Sequence, residues 1–151
     1  MLADDAKTRL EASIESLANR VQHALDLSEL VRQGALPNSL ASAFIVPAGL
    51  RPQQGGESAS GAYTQEVDEV IAVVLVINSA ADVTGGRAAP RVDVLVWQVI
   101  YALVGWGPAD TQDSPYIGVF RFLRGQVVSL TKGAVIYQVE FAIPLQLRVL
   151  S

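Results

Sequence analysis

The chain has no cysteine and only one histidine, His23, in 151 residues. Without cysteine it has no disulfide framework, no thiolate zinc site and no cysteine nucleophile. A metal site would therefore need carboxylates alone, and a single histidine near the end of an amphipathic pattern is typical of an ordinary surface or boundary residue. We expect neither a metal nor any other cofactor.

Charged residues are also sparse, at 17%, while 50% are hydrophobic, so apolar surface is left to be covered. The 11 Lys and Arg residues are scattered and the net charge is −4. This argues against nucleic-acid binding, because phosphate binding needs clustered basic residues. The longest apolar runs, such as 70–77, are too short to span a membrane, and the N-terminus lacks a signal-peptide pattern. The expectation is one soluble cytoplasmic domain covering 1–151.

Motifs for catalysis or nucleotide binding are not found. The Gly85-Gly86-Arg87 sequence before a predicted helix lacks the spacing of a phosphate-binding or dinucleotide-binding loop. Glu66 and Asp68 share one face of a predicted strand, as acid–base carboxylate pairs sometimes do. Like charges at an exposed strand end also keep an edge from pairing wrongly, and this second interpretation is preferred. We expect no enzyme.

Helical spacing occurs in several segments. Apolar residues recur every three or four positions in 3–24, which predicts an amphipathic helix. A shorter helix is predicted at 28–33, with Ser28 as its N-cap. Pro90 opens a third helix as a first-turn proline and Gly105 ends it, so Trp106 is expected to fold back over the last turn.

Strands are predicted at 41–46, 63–78, 116–130 and 134–150. Segment 49–62 is rich in Gly, Ser and Gln, which predicts a flexible loop, and ordering on a partner is one of two open roles for it. Pro144 lacks a ladder donor and marks an edge or a bend. The order of elements predicts an α+β fold, an antiparallel or mixed sheet of about four strands with helices packed on it and a long C-terminal β-hairpin.

The last strand alternates apolar and polar residues from Val135 to Val149, the pattern of one buried face. At roughly 3.3 Å per residue it would be about 50 Å long, against about 40 Å for the diameter of such a domain. It must bend or extend beyond the domain, where a partner subunit would cover it. The run 70–77 is apolar on both faces, which predicts a central strand covered by helix on one side and by a neighbouring subunit on the other.

A family resemblance spans most of the chain. It is carried by the segments LDLSEL, ASAFIVPAG, GAYTQEVDEVIAVVLVIN, VDVLVWQVIYALVGWGP, YIGVFRFLRGQVV and AVIYQVEFAIPLQ. The helix ending in Leu103-Val104-Gly105-Trp106-Gly107-Pro108 and the spacing of the final hairpin are the most telling. On these segments the chain resembles the tail terminator, or tail completion, proteins of long-tailed bacteriophages.

The resemblance implies a non-enzymatic virion protein that assembles in the host cytoplasm into a homo-oligomer, a hexameric ring, at the head-proximal end of the tail. Such a ring caps the tail tube protein, stops tube polymerisation and offers a docking surface to the head–tail connector protein. DNA would pass through the lumen without specific binding, in keeping with the acidic balance, and no membrane is involved. The candidate assembly-interface residues are Arg87, Arg91, Trp106, Phe120, Arg121, Phe122 and Arg124.

Two alternatives stay open at this point. A head–tail connector or head-closure ring protein shares the ring geometry and the size. A small cytoplasmic enzyme or ligand-binding domain would use Glu66, Asp68 and Trp106 in a pocket. A protein that stays monomeric in the presence of tube protein would favour the second alternative.

Overall fold

In the part of the chain that the structure describes, a single sheet runs through the molecule and the two α-helices with described bounds lie on one of its faces. The computed structural model describes residues 2–25, 32, 41–53, 55–59, 61–78, 88–108, 115–131 and 133–150. The elements within these ranges are α1 (Leu2–Ser13), a 3₁₀ turn (Glu15–Leu17), β1 (Val21–His23), β2 (Ala41–Pro52), β3 (Glu57–Ala59), β4 (Ala62–Asn78), α2 (Ala88–Leu103), β5 (Arg121–Thr131) and β6 (Ala134–Leu150).

The strand order is β1-β2-β4-β6-β5, and β3 pairs with the first residues of β4. All pairs are antiparallel except β1 with β2. The predicted α+β class is confirmed, and so is a long C-terminal hairpin, β5–β6. The sheet has six strands in the described residues where about four were predicted, because β1 and β3 are only three residues long and carry no readable alternation.

The pairing of β4 with β6 fixes which side chains share a face of the sheet. It runs without a break from Ala62 opposite Leu150 to Asn78 opposite Ala134. The odd-numbered residues of β4 face the helices, which we call the helical face, and the even-numbered ones lie on the opposite face. The large core on the helical face joins residues of both helices, such as Leu10 and Val99, to β4.

The opposite face of the central strand is also buried within the chain. Phe44, Val74 and Val76 form a second apolar cluster there, and Val46 and Ile136 pack against it. The expectation that a neighbouring subunit covers this side of 70–77 is therefore wrong. The position of β4 in the middle of the sheet is as predicted.

The first predicted helix is too long. It ends at Ser13, a 3₁₀ turn follows, and Val21–His23 pairs with β2 as a strand. Asn19 has φ of 59°, a left-handed conformation that asparagine tolerates and that interrupts a helix. Ile14, Leu17 and Val21 are nevertheless buried, so their spacing indicated burial correctly and helix incorrectly.

Two other boundaries differ from the sequence-based ones. The strand predicted at 41–46 continues to Pro52 past an irregularity between Pro47 and Gly49, and 57–59 forms β3, so part of the predicted loop 49–62 is strand. The strand predicted at 116–130 begins only at Arg121, and before it a single bridge joins Tyr116 to Leu145. The helix predicted at 28–33 lies outside the described residues except for position 32.

Candidate assembly surfaces

The end of α2 is tied to the segment that leads into β5. Gly105 has φ of +80° and ends the helix in the manner of a C-terminal glycine. Its N–H donates to the carbonyl of Phe120 over 2.9 Å, and the N–H of Phe120 donates to the carbonyl of Trp106 over 2.9 Å. The Trp106 and Phe120 rings stack with centroids 6.0 Å apart. Trp106 is thus folded back toward the core as predicted.

Because of these contacts, two of the candidate interface residues, Phe120 and Trp106, differ in exposure. Phe120 is only 1% exposed and its ring also meets Phe141 edge-on, so in this structure it belongs to the core. Trp106 is half-buried against the same core, and the Arg9 guanidinium lies 5.7 Å from its ring centroid. Of the pair, only Trp106 presents surface.

Arg121 lies on the opposite face and is paired with Asp68. Its guanidinium donates to both carboxylate oxygens, with Nη1 3.0 Å from Oδ1, and Gln53 donates to the same Oδ1 over 2.7 Å. The Asp68 side chain is 9% exposed and that of Arg121 is 50% exposed. The hydrogen bonds from Arg121 lower the pKa of the Asp68 carboxyl, although burial of this carboxyl acts in the opposite direction. The same hydrogen bonds raise the pKa of Arg121.

Arg124 makes a second pair on the same face. It lies directly opposite Glu140 in the sheet register and donates from Nε to the Glu140 carboxylate, which is almost fully buried. The exposed ends of Arg121 and Arg124 therefore form a short basic edge along β5 whose position is fixed by buried carboxylates on the inner strands. Arg87 and the side chain of Arg91 lie outside the described residues.

An apolar groove runs between α2 and β5 on the helical face, because α2 packs on β4 and β6 and no helix within the described ranges covers β5. We call it the α2–β5 groove. Two adjoining cavities, of 410 and 230 Å³, make it up. Its walls include Trp97 and Val104 from α2 and Phe122, Val127 and Leu130 from β5. Each of these five side chains is more than two-fifths exposed.

Of the candidate interface residues whose side chains the structure describes, Phe122 alone lines this groove. The rest of the groove was missed, although a signal existed. Val94, Trp97 and Tyr101 form an exposed apolar stripe on α2, in addition to the buried stripe that contains Val99. A helix that is apolar on two sides has more apolar surface than one sheet can cover, which indicates a second contact.

A second exposed apolar surface lies at the far end of the sheet. There, 62–66 of β4 and 146–150 of β6 pair beyond the reach of the helical core, and we call this part the terminal arm. Tyr63 stands opposite Val149 and Gln65 opposite Leu147, so an apolar stripe of Tyr63, Leu147 and Val149 lies on the helical-face side. All three are exposed. The sequence predicted that the last strand either bends or extends beyond the domain, and in the structure β6 continues to Leu150, past the residues of the helical-face core.

The side chains suggested for a catalytic pocket are not brought together. Asp68 is occupied by Arg121 and Gln53, Glu66 lines a polar cavity of 240 Å³ with Glu57 and Gln146, and Trp106 packs against the core on the helical face. In the part of the chain that the structure describes, no group of three or more His, Asp or Glu residues is placed to hold a metal ion. Neither helix in the described ranges is long and apolar enough to cross a membrane.

An open apolar groove and a projecting apolar arm are features of a subunit that binds other protein surfaces. The sequence model of the family described as phage tail terminator protein matches residues 3–149, and the chain belongs to this family. It is therefore a structural protein of a phage or phage-like virion tail.

Other comparisons add little to this assignment. None of the curated proteins matches the chain. A chain of the solved structure titled "Virion of native gene transfer agent (GTA) particle" is similar over 96% of this chain and 94% of that chain, with 20% sequence identity and a TM-score of 0.48.

Proposed function

We propose that six copies of this protein form a ring that closes the head-proximal end of the tail tube, stops tube polymerisation and offers the docking surface for the head–tail connector protein. The observation that carries the proposal is the family match, because it covers 3–149 and so extends from the second residue of α1 to the last residue but one of β6.

The distribution of exposed apolar surface supports an assembling subunit. The α2–β5 groove and the terminal arm lie at different ends of the sheet, and each exposes several large side chains. The outer edge of β5 adds a row of backbone groups with no strand beside them in the described residues. Surfaces of these kinds are covered by association in natural proteins, and two different ones on each subunit suit a head-to-tail ring.

The charge of the protein supports a lumen through which DNA slides. Six chains at −4 would carry about −24, which repels phosphate and disfavours tight contact. The two exposed arginines of β5 do not form an anion-binding patch, because each is already paired with a carboxylate.

Deletion of the gene tests the proposal. Lysates should contain tails of uncontrolled length when viewed by electron microscopy, and supplying the wild-type gene in trans should restore uniform, head-joined tails. Tails of normal length beside unjoined heads would contradict the capping role and favour a head-closure ring instead. Light scattering gives the independent measure, since a protein that remains monomeric both alone and with tube protein would contradict the ring.

A further inference from the structure

We propose that α2 of one free subunit packs antiparallel against α2 of a second copy, through an apolar seam formed by Val94, Trp97, Tyr101 and Val104. We call these four residues the α2 seam. The inference goes beyond the proposed ring, because a contact with twofold symmetry closes at two copies and builds no ring.

The α2 seam has the spacing of a helix that packs on another helix. Its residues follow one another at intervals of three, four and three positions, which is the a and d pattern of a two-helix coiled coil. Val104 comes directly after α2, and its N–H still donates to the carbonyl of Ile100 over 2.9 Å, so it keeps the helical phase. A strict a and d stripe is narrow and fits one other helix. The spacing therefore selects a helix as the occupant.

The seam is exposed and lies opposite the stripe that α2 buries against its own sheet. Its four residues are between 42% and 77% exposed. With 3.6 residues per turn, Tyr101 lies about 160° around the helix from the buried Val99. The seam therefore points away from the sheet of its own chain. A second helix can lie along it without displacing any residue of the core.

The order of side-chain sizes makes the seam complementary to itself. A valine stands at each end and an aromatic residue at each inner position, so the seam is symmetric about position 99. In an antiparallel pair centred there, Val94 lies beside Val104 of the partner subunit and Trp97 beside Tyr101 of the partner subunit. The aromatic rings then fill the centre of the contact, where residues that dominate binding energy are usually found. A helix of another sequence would not require this symmetry, which favours a second copy.

The aromatic pair at the centre is already formed in one subunit. The rings of Trp97 and Tyr101 lie with their centroids 5.8 Å apart. Each ring limits the freedom of the other, so less conformational entropy is lost when a second helix covers them.

Charge favours the antiparallel orientation over the parallel one. Asp93 is the only charged residue between positions 92 and 104, and it is exposed at the rim of the seam. In the antiparallel pair the two Asp93 residues are about 18 Å apart along the helices, at 1.5 Å per residue. This exceeds the screening length of about 10 Å at 0.1 M salt. In a parallel pair they would lie side by side and repel each other.

The pair uses part of the surface that the α2–β5 groove also offers. Trp97 and Val104 line this groove, so pairing of α2 covers one of its walls. A subunit whose groove binds another protein therefore has to leave the pair first. We infer a symmetric pair of free subunits, distinct from the head-to-tail ring.

Disulfide trapping tests the contact directly, and the absence of cysteine from the chain makes the background clean. The variant carries Val94→Cys and Val104→Cys. Within one chain these positions are about 15 Å apart along the helix, whereas a disulfide needs Cα atoms about 5.5–6 Å apart. Mild oxidation of the free protein should therefore give a covalent dimer and no larger species.

The two single-cysteine variants define the geometry. In the antiparallel pair each single cysteine faces a valine of the partner subunit, so each should give at least about tenfold less covalent dimer than the double variant. Single variants that crosslink as well as the double one would overturn the antiparallel pair, since they would show parallel helices or random collision. A ladder of larger covalent oligomers would overturn the twofold symmetry.

A charge in the seam tests the same contact without crosslinking. Tyr101 is 77% exposed, so Tyr101→Lys should melt as the wild type does. Its ammonium group would be desolvated in the pair, so the dimer dissociation constant measured by sedimentation equilibrium should rise at least about a hundredfold. Leu150→Lys, at a 72% exposed residue of the terminal arm, is the matched control and should leave this constant unchanged. Equal constants for Tyr101→Lys and the wild type would overturn the pair.

The outcomes separate this inference from the proposed function. A free wild-type protein that stays monomeric at every concentration would overturn the pair and leave the seam to a helix of another protein. Tails of uncontrolled length after gene deletion would still support the capping role in that case. A trapped dimer, together with deletion lysates whose tails have normal length, would uphold the pair and contradict tail capping.

Discussion

Arg121, at the start of β5, reaches across β6 to close on the carboxylate of Asp68 in β4. In the sheet register Asp68 stands opposite Pro144 and Arg121 opposite Ala142, so this ion pair links two strands that share no backbone hydrogen bonds. Gln53, which follows β2, donates to the same carboxylate. One buried aspartate therefore ties three parts of the sheet together beside a proline that cannot donate.

Loss of the arginine should destabilise the fold. Arg121→Ala would leave the Asp68 carboxylate nine-tenths buried without its cation, which we expect to lower the free energy of unfolding by about 1–3 kcal/mol. Urea unfolding of the wild type and the variant at pH 7 measures this change in the free energy of unfolding. Arg148→Ala, at an exposed arginine on the same side of the sheet, is the matched control and should change stability by less than about 0.5 kcal/mol. Equal effects of the two substitutions would show that the ion pair contributes little.

Acid should remove the contribution of this pair. Arg121 holds the pKa of Asp68 below its ordinary value, so the folded protein binds this proton less tightly than the unfolded chain does. The resulting stability is complete above the ordinary aspartate pKa of about 4 and is lost as the pH falls through the lower folded-state pKa. The stability difference between the wild type and Asp68→Asn should therefore shrink below about pH 4. A difference that stays constant from pH 6 to pH 2 would contradict this assignment.

Gly118 should not tolerate a side chain. A Cβ there would lie 2.7 Å from Cγ of Pro144, too close for any ordinary contact. Gly118→Ala should cost about 1–3 kcal/mol of unfolding free energy, because either the 115–120 segment or β6 must move. Gly55→Ala is the control, since a Cβ at that position meets nothing within 4 Å. Thermal melts of both variants decide the matter, and similar melting temperatures would contradict close packing on Pro144.

The two phenylalanines that flank Arg121 should behave differently. Phe120 is buried and stacked on Trp106, so Phe120→Ala should cost about 3–5 kcal/mol of stability. Phe122 is 45% exposed in the groove, so Phe122→Ala should cost about 1 kcal/mol and act mainly on association. Urea unfolding and light scattering on each variant measure the two effects. A Phe122→Ala protein that assembles as the wild type does would remove this residue from the interface.

The regular strands could be predicted because a period of two needs no knowledge of the rest of the fold. β6 was predicted from Ala134 to Leu150 and β4 within one residue of its start. The segment 116–120 was predicted as the beginning of a strand because most of its residues are apolar. It departs from the ladder where Pro144 offers no N–H, and two backbone hydrogen bonds still join this stretch to β6, from the N–H of Ile117 to the Pro144 carbonyl and from the N–H of Gln146 to the Pro115 carbonyl. That outcome depends on which strand lies alongside, which the local sequence does not specify.

The ion pairs and the groove could not be predicted either, because they too depend on which strands lie side by side in the sheet. Asp68 and Arg121 are far apart in sequence, and they meet only because the β4–β6 and β5–β6 registers place them on one face. Of the named candidates, Phe120 and Phe122 both alternate with Arg121 and are alike in type, so the sequence does not distinguish Phe122, which is 45% exposed, from the buried Phe120. Its burial follows from the turn at Gly105, which brings Trp106 onto it.

The enclosure of the central strand on both sides by its own chain has a consequence for timing. A newly made copy buries this strand without waiting for companions, so the central part of the sheet does not need a second copy in order to fold. Under the proposed function, the moment of capping would then be governed by when tube ends become available and by subunit concentration. Protein folding would already be finished by that stage.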